Sequence, residues 1–252
     1  MELGLGGQCY VVTGASRGLG RATAEALVAD GAYVVLNGRS AESLADVVKA
    51  LGPDRAEGVP GSLADIGLAD RLVATALTRF GRLDGALVSV GGPAASPVET
   101  TSDDAWRDAF ETVFLGAVRV ARAVTAAVGT GGALGLVLST SVKAPLDGLA
   151  ASNGLRPGLA MVAKQLADEV GPRGIRVFGL LPGRIATDRV AELDALSGDP
   201  DAARERHEAR IPLRRYGEPA EFGRVAAFLL SPAASYVSGC VVPVDGGSTR
   251  AL

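Results

Sequence analysis

The chain has 252 residues, of which 48% are hydrophobic, and this is enough apolar material for the large core of one α/β domain. The formal net charge of −3 is spread along the sequence without a basic stripe, which argues against nucleic acid as a partner. A helix needs about 18 consecutive apolar residues to span a membrane. No uninterrupted apolar run in the sequence approaches that length, so a membrane partner is not expected.

Cysteine usage and the first residues bear on the compartment. Cys9 and Cys240 are too few for a disulfide framework, and each lies in an apolar run, so both are predicted to be buried free thiols. The first residues do not place a basic segment before an apolar stretch, so no export signal is expected. These features predict a cytoplasmic protein. Abundant alanine and glycine, with arginine preferred to lysine, indicate a bacterial genome rich in GC.

Strand-like and helix-like runs alternate along the chain. Strands are predicted at 9–14, 32–38, 56–59, 84–92, 133–141, 175–183 and 240–247. Helices are predicted at 18–30, 41–51, 66–80, 102–128, 153–171 and 219–230, with two short helical pieces within 187–216. This order predicts an α/β fold: a Rossmann-like doubly wound parallel sheet of about seven strands with helices on both faces. We expect a single domain over 1–252, in which 187–216 forms a lid.

The stretch "TGASRGLG" at 13–20 joins the first strand to the first helix. A glycine turn at this place presents backbone N–H groups and a helix N-terminus to a diphosphate. Gly14 would form the turn, Gly18 would admit the ligand, and Gly20 would let the helix pack on the strand. The neighbouring cofactor candidates in the turn are Ser16, Arg17 and Leu19. The alternative is a turn that needs glycine for its backbone angles only.

The end of the second strand, "LNGRS" at 36–40, bears on the choice of dinucleotide. A free ribose 2′-hydroxyl favours a carboxylate at this place, whereas a 2′-phosphate favours a cation. The segment offers Asn37 and Arg39 and no acid, and Arg17 could approach from the glycine turn. The sequence therefore predicts NADP(H) in preference to NAD(H). The alternative is that both arginines are solvated surface residues.

Taken together, four stretches resemble the short-chain dehydrogenase/reductase family. They are "TGASRGLG", the serine-bearing fifth strand, "GIRVFGLLPGRIATD" at 174–188 and "SYVSGCVVPVDGG" at 235–247. The resemblance implies hydride transfer between NAD(P)(H) and a small carbonyl or alcohol substrate. It also implies a homo-oligomer, either a tetramer or a dimer.

The resemblance assigns roles to particular residues. Ser139 matches the catalytic serine that hydrogen-bonds the substrate oxygen. Pro182, Gly183, Ile185 and Thr187 match the loop that holds the nicotinamide amide. Ser62, Leu63 and Gly91 lie where the family contacts the rest of the cofactor.

The sequence departs from the family at several catalytic positions. The tyrosine expected thirteen residues after Ser139 is Ser152, and the lysine four residues further on is Arg156. The supporting asparagine is replaced by Val113. The "NNAG" motif is replaced by residues 88–91, and the aspartate that faces the adenine by Ser62. The tyrosines of this chain lie elsewhere, at 10, 33, 216 and 236, so the usual phenol-based mechanism is not available.

Several polar groups remain around Ser139. An aliphatic hydroxyl and a guanidinium are poor acids, but Ser152 and Arg156 could share a helix face and bind an anionic oxygen beside Ser139. Pro157 would instead allow the helix to start there, with Ser152 or Asn153 as its cap.

If a side chain supplies a proton, Lys143 is the best candidate, although an exposed surface lysine is the plain alternative. His207, in the predicted lid, is a solvated residue, or else a substrate contact or an acid. No cluster of His and Cys has metal-ligand spacing, so no metal is expected.

Three functions remain open. The first is an NADPH-dependent reductase in which Ser139 polarises a carbonyl. The second is a non-redox enzyme on the same scaffold, such as a dehydratase, an isomerase or a cyclase. The third is a non-catalytic subunit that binds a dinucleotide.

Overall fold

The computed structural model describes residues 2–251, and within them seven strands form one parallel sheet. In chain order the strands are β1 (Cys9–Val12), β2 (Tyr33–Gly38), β3 (Ala56–Pro60), β4 (Gly85–Ser89), β5 (Ala133–Val137), β6 (Arg176–Pro182) and β7 (Val241–Val244). Their order in the sheet is β3-β2-β1-β4-β5-β6-β7. Every residue of β1, β4 and β5 is buried, as expected for strands covered by helices on both faces.

Helices cover the sheet from both sides. They are α1 (Gly18–Ala29), α2 (Ala41–Leu51), α3 (Leu68–Phe80), α4 (Asp103–Ala109), α5 (Gly116–Ala127), α6 (Ala150–Val170), α7 (Asp188–Ala195), α8 (Pro200–Arg210) and α9 (Pro219–Leu230). Apolar side chains of α3, α5 and α6 form the core on one face of the sheet. Those of α1, α2 and α9 form the core on the other. The predicted doubly wound fold is confirmed.

The strand order reverses between β1 and β4, and a crevice forms at such a switch point outside the carboxyl ends of the strands. Here the side chain of Thr13 ties the two strands together. Its Oγ1 donates to Ser89 O and accepts from Ser89 N, each at 2.8 Å. The glycine turn begins directly after this contact and is therefore fixed at the head of the crevice.

Two predicted helices differ in the structure. The helix predicted at 102–128 consists of α4, a π-helical stretch (Phe110–Leu115) and α5. The alternative expectation, in which this helix begins only at Pro157, is wrong, because α6 begins at Ala150 and contains Pro157. A proline inside a helix removes one backbone hydrogen bond, and here the buried face of α6 outweighs that loss. Ser152 and Asn153 therefore lie inside the first turns and do not cap the helix.

The cysteines and the longest helices complete the description. Cys9 and Cys240 are both free; Cys9 is buried as predicted, but Cys240 is only half-buried because it precedes β7 at the edge of the sheet. In the part of the chain that the structure describes, the helices are too short or too polar to cross a bilayer.

Candidate cofactor and active site

The glycine turn has a backbone that only glycine adopts without strain. Gly14 and Gly18 have φ angles of 59° and 58°, in the left-handed region. A Cβ at Gly14 would also lie 2.8 Å from the backbone oxygen of Ser89. A Cβ at Gly20 would meet the backbone oxygen of Gly14 and would lie 2.8 Å from that of Thr13. The spacing of these glycines therefore fixes the shape of the turn.

The loop between β6 and α7 faces this turn. The methyl group of Thr187 is 3.5 Å from the place where a Cβ of Gly18 would be, and the Thr187 hydroxyl accepts from Val190 N to cap α7. Ile185 is buried and pairs with Gly217. Pro182 ends β6, and Gly183 packs closely against Asp245. The predicted nicotinamide-side loop thus lies opposite the glycine turn.

At the end of β2 the two candidate side chains behave differently. Asn37 is buried, and its side-chain nitrogen donates to Val59 O at 3.0 Å and to Gly61 O at 3.1 Å. Its amide therefore joins β2 to the end of β3. Arg39 is exposed, and no hydrogen bond or ion pair links it to another residue within 2–251. Ser16 packs on Gly38, which places the glycine turn beside this end of the strand.

The other predicted cofactor residues line the same edge of the sheet. Ser62 is exposed, and its hydroxyl accepts from Ala64 N at 3.2 Å. Leu63 is half-buried and its backbone packs on Gly116. Gly91 follows β4 and has no heavy atom within 4 Å of its Cβ position, so space is open there.

Arg17 connects the glycine turn to α7. Its guanidinium pairs with Asp188 at 3.0 Å and lies 3.7 Å from Glu192. The predicted approach of Arg17 toward the end of β2 is therefore replaced by an ion pair on the lid side. All three side chains are more than half exposed, so this pairing adds little to stability.

Ser139 lies at the carboxyl end of β5 and is half-buried. It caps the single turn Thr140–Val142, and its hydroxyl oxygen accepts from Ser141 N at 3.1 Å. The hydroxyl hydrogen stays available for a further acceptor. Lys143 follows the turn and is exposed at the start of the loop that leads to α6.

Ser152 and Arg156 engage different groups, so the predicted anion-binding face shared by these two side chains does not form. Ser152 is buried, and its hydroxyl lies 3.4 Å from that of Ser141. The Nη1 of Arg156 donates to Val137 O at 2.8 Å and to Leu138 O at 2.9 Å. Arg156 thus holds the end of the strand that presents Ser139. Burial, followed by the charge of Arg189, lowers the pKa of Arg156 to about 10, so it keeps its charge near neutral pH.

Two further residues shape the site: Asn153, which the sequence suggested as a helix cap, and Arg189, which was not predicted. The Asn153 amide accepts from Leu146 N and donates to Leu146 O, which holds the loop after Ser139 against α6. Arg189 on α7 donates through Nη2 to Pro93 O at 2.6 Å, so it joins α7 to the loop after β4. Its Nε packs against Gly92, where a side chain would clash. No pattern in the sequence indicated the contact of Asn153 with Leu146 or that of Arg189 with Pro93.

Asp194 joins α7 to α8 and to the segments around Arg184 and Tyr216. Its buried carboxylate accepts from Arg184 Nη1 at 2.7 Å and from the Tyr216 hydroxyl at 3.0 Å, and His207 Nε2 lies 4.0 Å away. Burial and then the hydrogen bond to Asp194 raise the pKa of Tyr216 to about 12, which makes this phenol a weaker acid than usual. Burial lowers the pKa of the half-buried His207, which faces Asp194.

Within 2–251, no group of three or more His, Cys, Asp or Glu side chains is arranged to hold a metal.

The sheet order and the glycine turn at its switch point define a Rossmann-like α/β protein. A family profile described as "Enoyl-(Acyl carrier protein) reductase" matches residues 14–249. An uncharacterized oxidoreductase of Mycobacterium tuberculosis is 38% identical over 250 residues, which cover 95% of this chain and 90% of the relative.

Two solved structures also superpose on the whole of this chain. A short-chain dehydrogenase/reductase from Brucella melitensis superposes over 100% of both chains with a TM-score of 0.93 at 29% identity. L-Sorbose reductase from Gluconobacter frateurii, solved with NADPH and L-sorbose, superposes over 100% of both chains with a TM-score of 0.94 at 28% identity. This chain belongs to the short-chain dehydrogenase/reductase family, a family of NAD(P)-binding oxidoreductases.

Proposed function

We propose that this protein is an NADP(H)-dependent oxidoreductase that interconverts a small carbonyl compound and its alcohol. The glycine turn facing Thr187 is the observation that carries the proposal. Gly14, Gly18 and Gly20 form a backbone cradle for a diphosphate, and the open space at Gly91 leaves room for the remainder of a dinucleotide. When bound, the nicotinamide supplies or takes up the hydride.

The residues of the chain then bind and orient the substrate. The Ser139 hydroxyl donates to the carbonyl oxygen of the substrate, because its own oxygen already accepts from Ser141 N. Arg156 fixes the strand end that carries Ser139 through the carbonyls of Val137 and Leu138. With Tyr216 held by Asp194, the proton comes from water or from Lys143 in the adjoining loop.

The preference for NADP(H) depends on Arg39. Its exposed guanidinium follows β2 in a segment without an acid, which suits a 2′-phosphate better than a free hydroxyl. The Arg39→Ala variant is expected to bind NADPH about tenfold more weakly and NADH with unchanged affinity. Calorimetric titration of both nucleotides measures this, with Arg107→Ala on α4 as the control. Equal losses for NADPH and NADH, or none, would contradict the predicted role of Arg39.

The proposed reaction is tested by its stoichiometry. The protein is incubated with NADPH and a panel of ketones and aldehydes, and NADPH consumption and alcohol formation are followed together. One NADPH consumed for each alcohol formed supports an oxidoreductase. A product formed without NADPH consumption would identify the non-redox alternative. Tight NADPH binding without turnover of any carbonyl would favour the non-catalytic subunit.

The assembly and compartment belong to the same proposal. A partly exposed apolar groove between α4, the following π-helical stretch and α6, lined by Trp106, Phe110 and Leu155, supports a homo-oligomer, either a tetramer or a dimer. Free thiols at Cys9 and Cys240 suit a reducing cytoplasm. Light scattering of the purified protein measures the assembly.

A further inference from the structure

Arg156 carries a buried positive charge without a carboxylate to balance it. The residue is 6% exposed, and Nη1 makes both of its hydrogen bonds. In the described chain, no protein acceptor meets its Nε or Nη2. Within residues 2–251, Thr249 Oγ1 is the one fully enclosed side-chain nitrogen or oxygen atom that has no hydrogen-bond partner. Because Nε and Nη2 of Arg156 also have no partner there but are not in that class, they are not fully enclosed and keep an opening to the surface. Because Nη1 of the same guanidinium binds the carbonyls of Val137 and Leu138, these two groups lie at the carboxyl end of β5, close to Leu138, which precedes Ser139.

Arg176 shows how this protein otherwise accommodates a buried guanidinium. It is 7% exposed, and its two Nη atoms donate to the carbonyls of Leu229, Leu230, Ser231 and Val237. Arg184, which is half-buried, pairs with Asp194. A buried charge that is only partly hydrogen-bonded costs stability, so the incomplete set at Arg156 indicates that a ligand completes it.

A second guanidinium stands at the same crevice. Arg189 is fixed between Gly92 and Pro93 O, so it lies over the loop that follows β4, the neighbour of β5 in the sheet. After burial, the charge of Arg189 is the second cause of the lowered pKa of Arg156. The acid near Arg189 is Glu192, at 3.6 Å, and this side chain is also within 3.7 Å of Arg17. Asp188 and Glu192 of α7 thus pair with Arg17, whereas Asp194 pairs with Arg184. Within residues 2–251, no ion pair joins an acid of α7 to Arg156.

We propose that Arg156 and Arg189 form a carboxylate-binding site, so that the substrate is a small keto acid or the corresponding hydroxy acid. The Nε and Nη2 groups of a guanidinium form a planar fork that matches the two oxygens of a carboxylate. With the carboxylate held there, the adjacent ketone would lie next to the Ser139 hydroxyl. This inference rests on the proposed function, since it names the substrate class of the same site.

Direct binding tests the charge preference separately from turnover. Acetoacetate and levulinate, each paired with its methyl ester, are titrated calorimetrically into the protein with and without NADPH. The acids are expected to bind about tenfold or more tightly than the esters, because only the acids bring a charge to the two arginines. Binding of NADPH is recorded in the same series. A protein that fails to bind NADPH but still prefers the acids would refute the proposed function and leave the carboxylate site standing.

Variants assign the preference to the two arginines. Arg189→Gln is expected to remove most of the difference between acid and ester, while Arg107→Gln on the exposed surface of α4 retains it. Arg156→Lys keeps a charge but loses the fork, and is expected to reduce the difference several-fold. Equal affinity for acids and esters in the parent protein would overturn the inference. So would an unchanged difference in a folded Arg189→Gln variant, or an Arg156→Lys variant that loses NADPH affinity alone, since Arg156 would then serve the cofactor.

Discussion

Replacing Gly20 with valine is expected to weaken NADPH binding by about 100-fold or more, because the diphosphate cradle cannot keep its shape. A side chain at this position would meet the Gly14 and Thr13 carbonyl oxygens. These are backbone atoms of the turn itself, so the clash cannot be relieved by a side-chain rotation. The turn would have to open, and its N–H groups would no longer converge on one anion. Calorimetric titration with NADPH measures the loss.

Gly129→Ala is the matched control for this change. Gly129 has no heavy atom within 4 Å of its Cβ position and lies in the loop before β5, so an added methyl group is tolerated. This variant is expected to bind NADPH like the parent protein. Circular dichroism and thermal unfolding establish that each variant is folded. A folded Gly20→Val protein with undiminished NADPH affinity would refute the proposed role of the glycine turn.

Removing the Ser139 hydroxyl is expected to lower the turnover number by about 100-fold, the typical effect of losing one donor to a developing oxyanion. The affinity for NADPH should stay unchanged, because the hydroxyl acts on the substrate oxygen. Steady-state kinetics of Ser139→Ala with the best carbonyl substrate, together with calorimetry of NADPH binding, separate these two effects.

Ser152→Ala provides the comparison within the same part of the chain. The Ser152 hydroxyl is buried and lies beside that of Ser141, so its removal is expected to change turnover far less. If Ser152→Ala lost activity while Ser139→Ala kept it, the assignment of the substrate-binding hydroxyl would be reversed.

The fold could be predicted from the sequence because its signals are local. Apolar runs such as "CYVV" and "ALGLV" identify strands buried on both faces, and the intervening helical periodicity supplies the crossovers. The glycine turn is equally local, since its three glycines lie within seven residues of chain between β1 and α1. The start of α6 was missed because a local rule about Pro157 was outweighed by the packing of the whole helix.

The chemistry around Ser139 depends on contacts between distant residues. Arg156 was expected to bind an anion together with Ser152, whereas two strand-end carbonyls engage one of its nitrogens. Arg189 contacts a loop that lies 96 positions earlier in the chain, and no pattern in the sequence brings the two together. Side-chain partners of this kind follow from the tertiary packing of α7 and are visible only in three dimensions.

A crystal structure of the protein grown with NADP⁺ tests most directly whether the glycine turn holds a dinucleotide. The expected result is a diphosphate over residues 14–20, covered by Thr187, with the nicotinamide directed toward Ser139 and no phenol within hydrogen-bond distance of the reacting centre. A crevice that stays empty at saturating NADP⁺, or a tyrosine that moves next to Ser139, would contradict the proposed site.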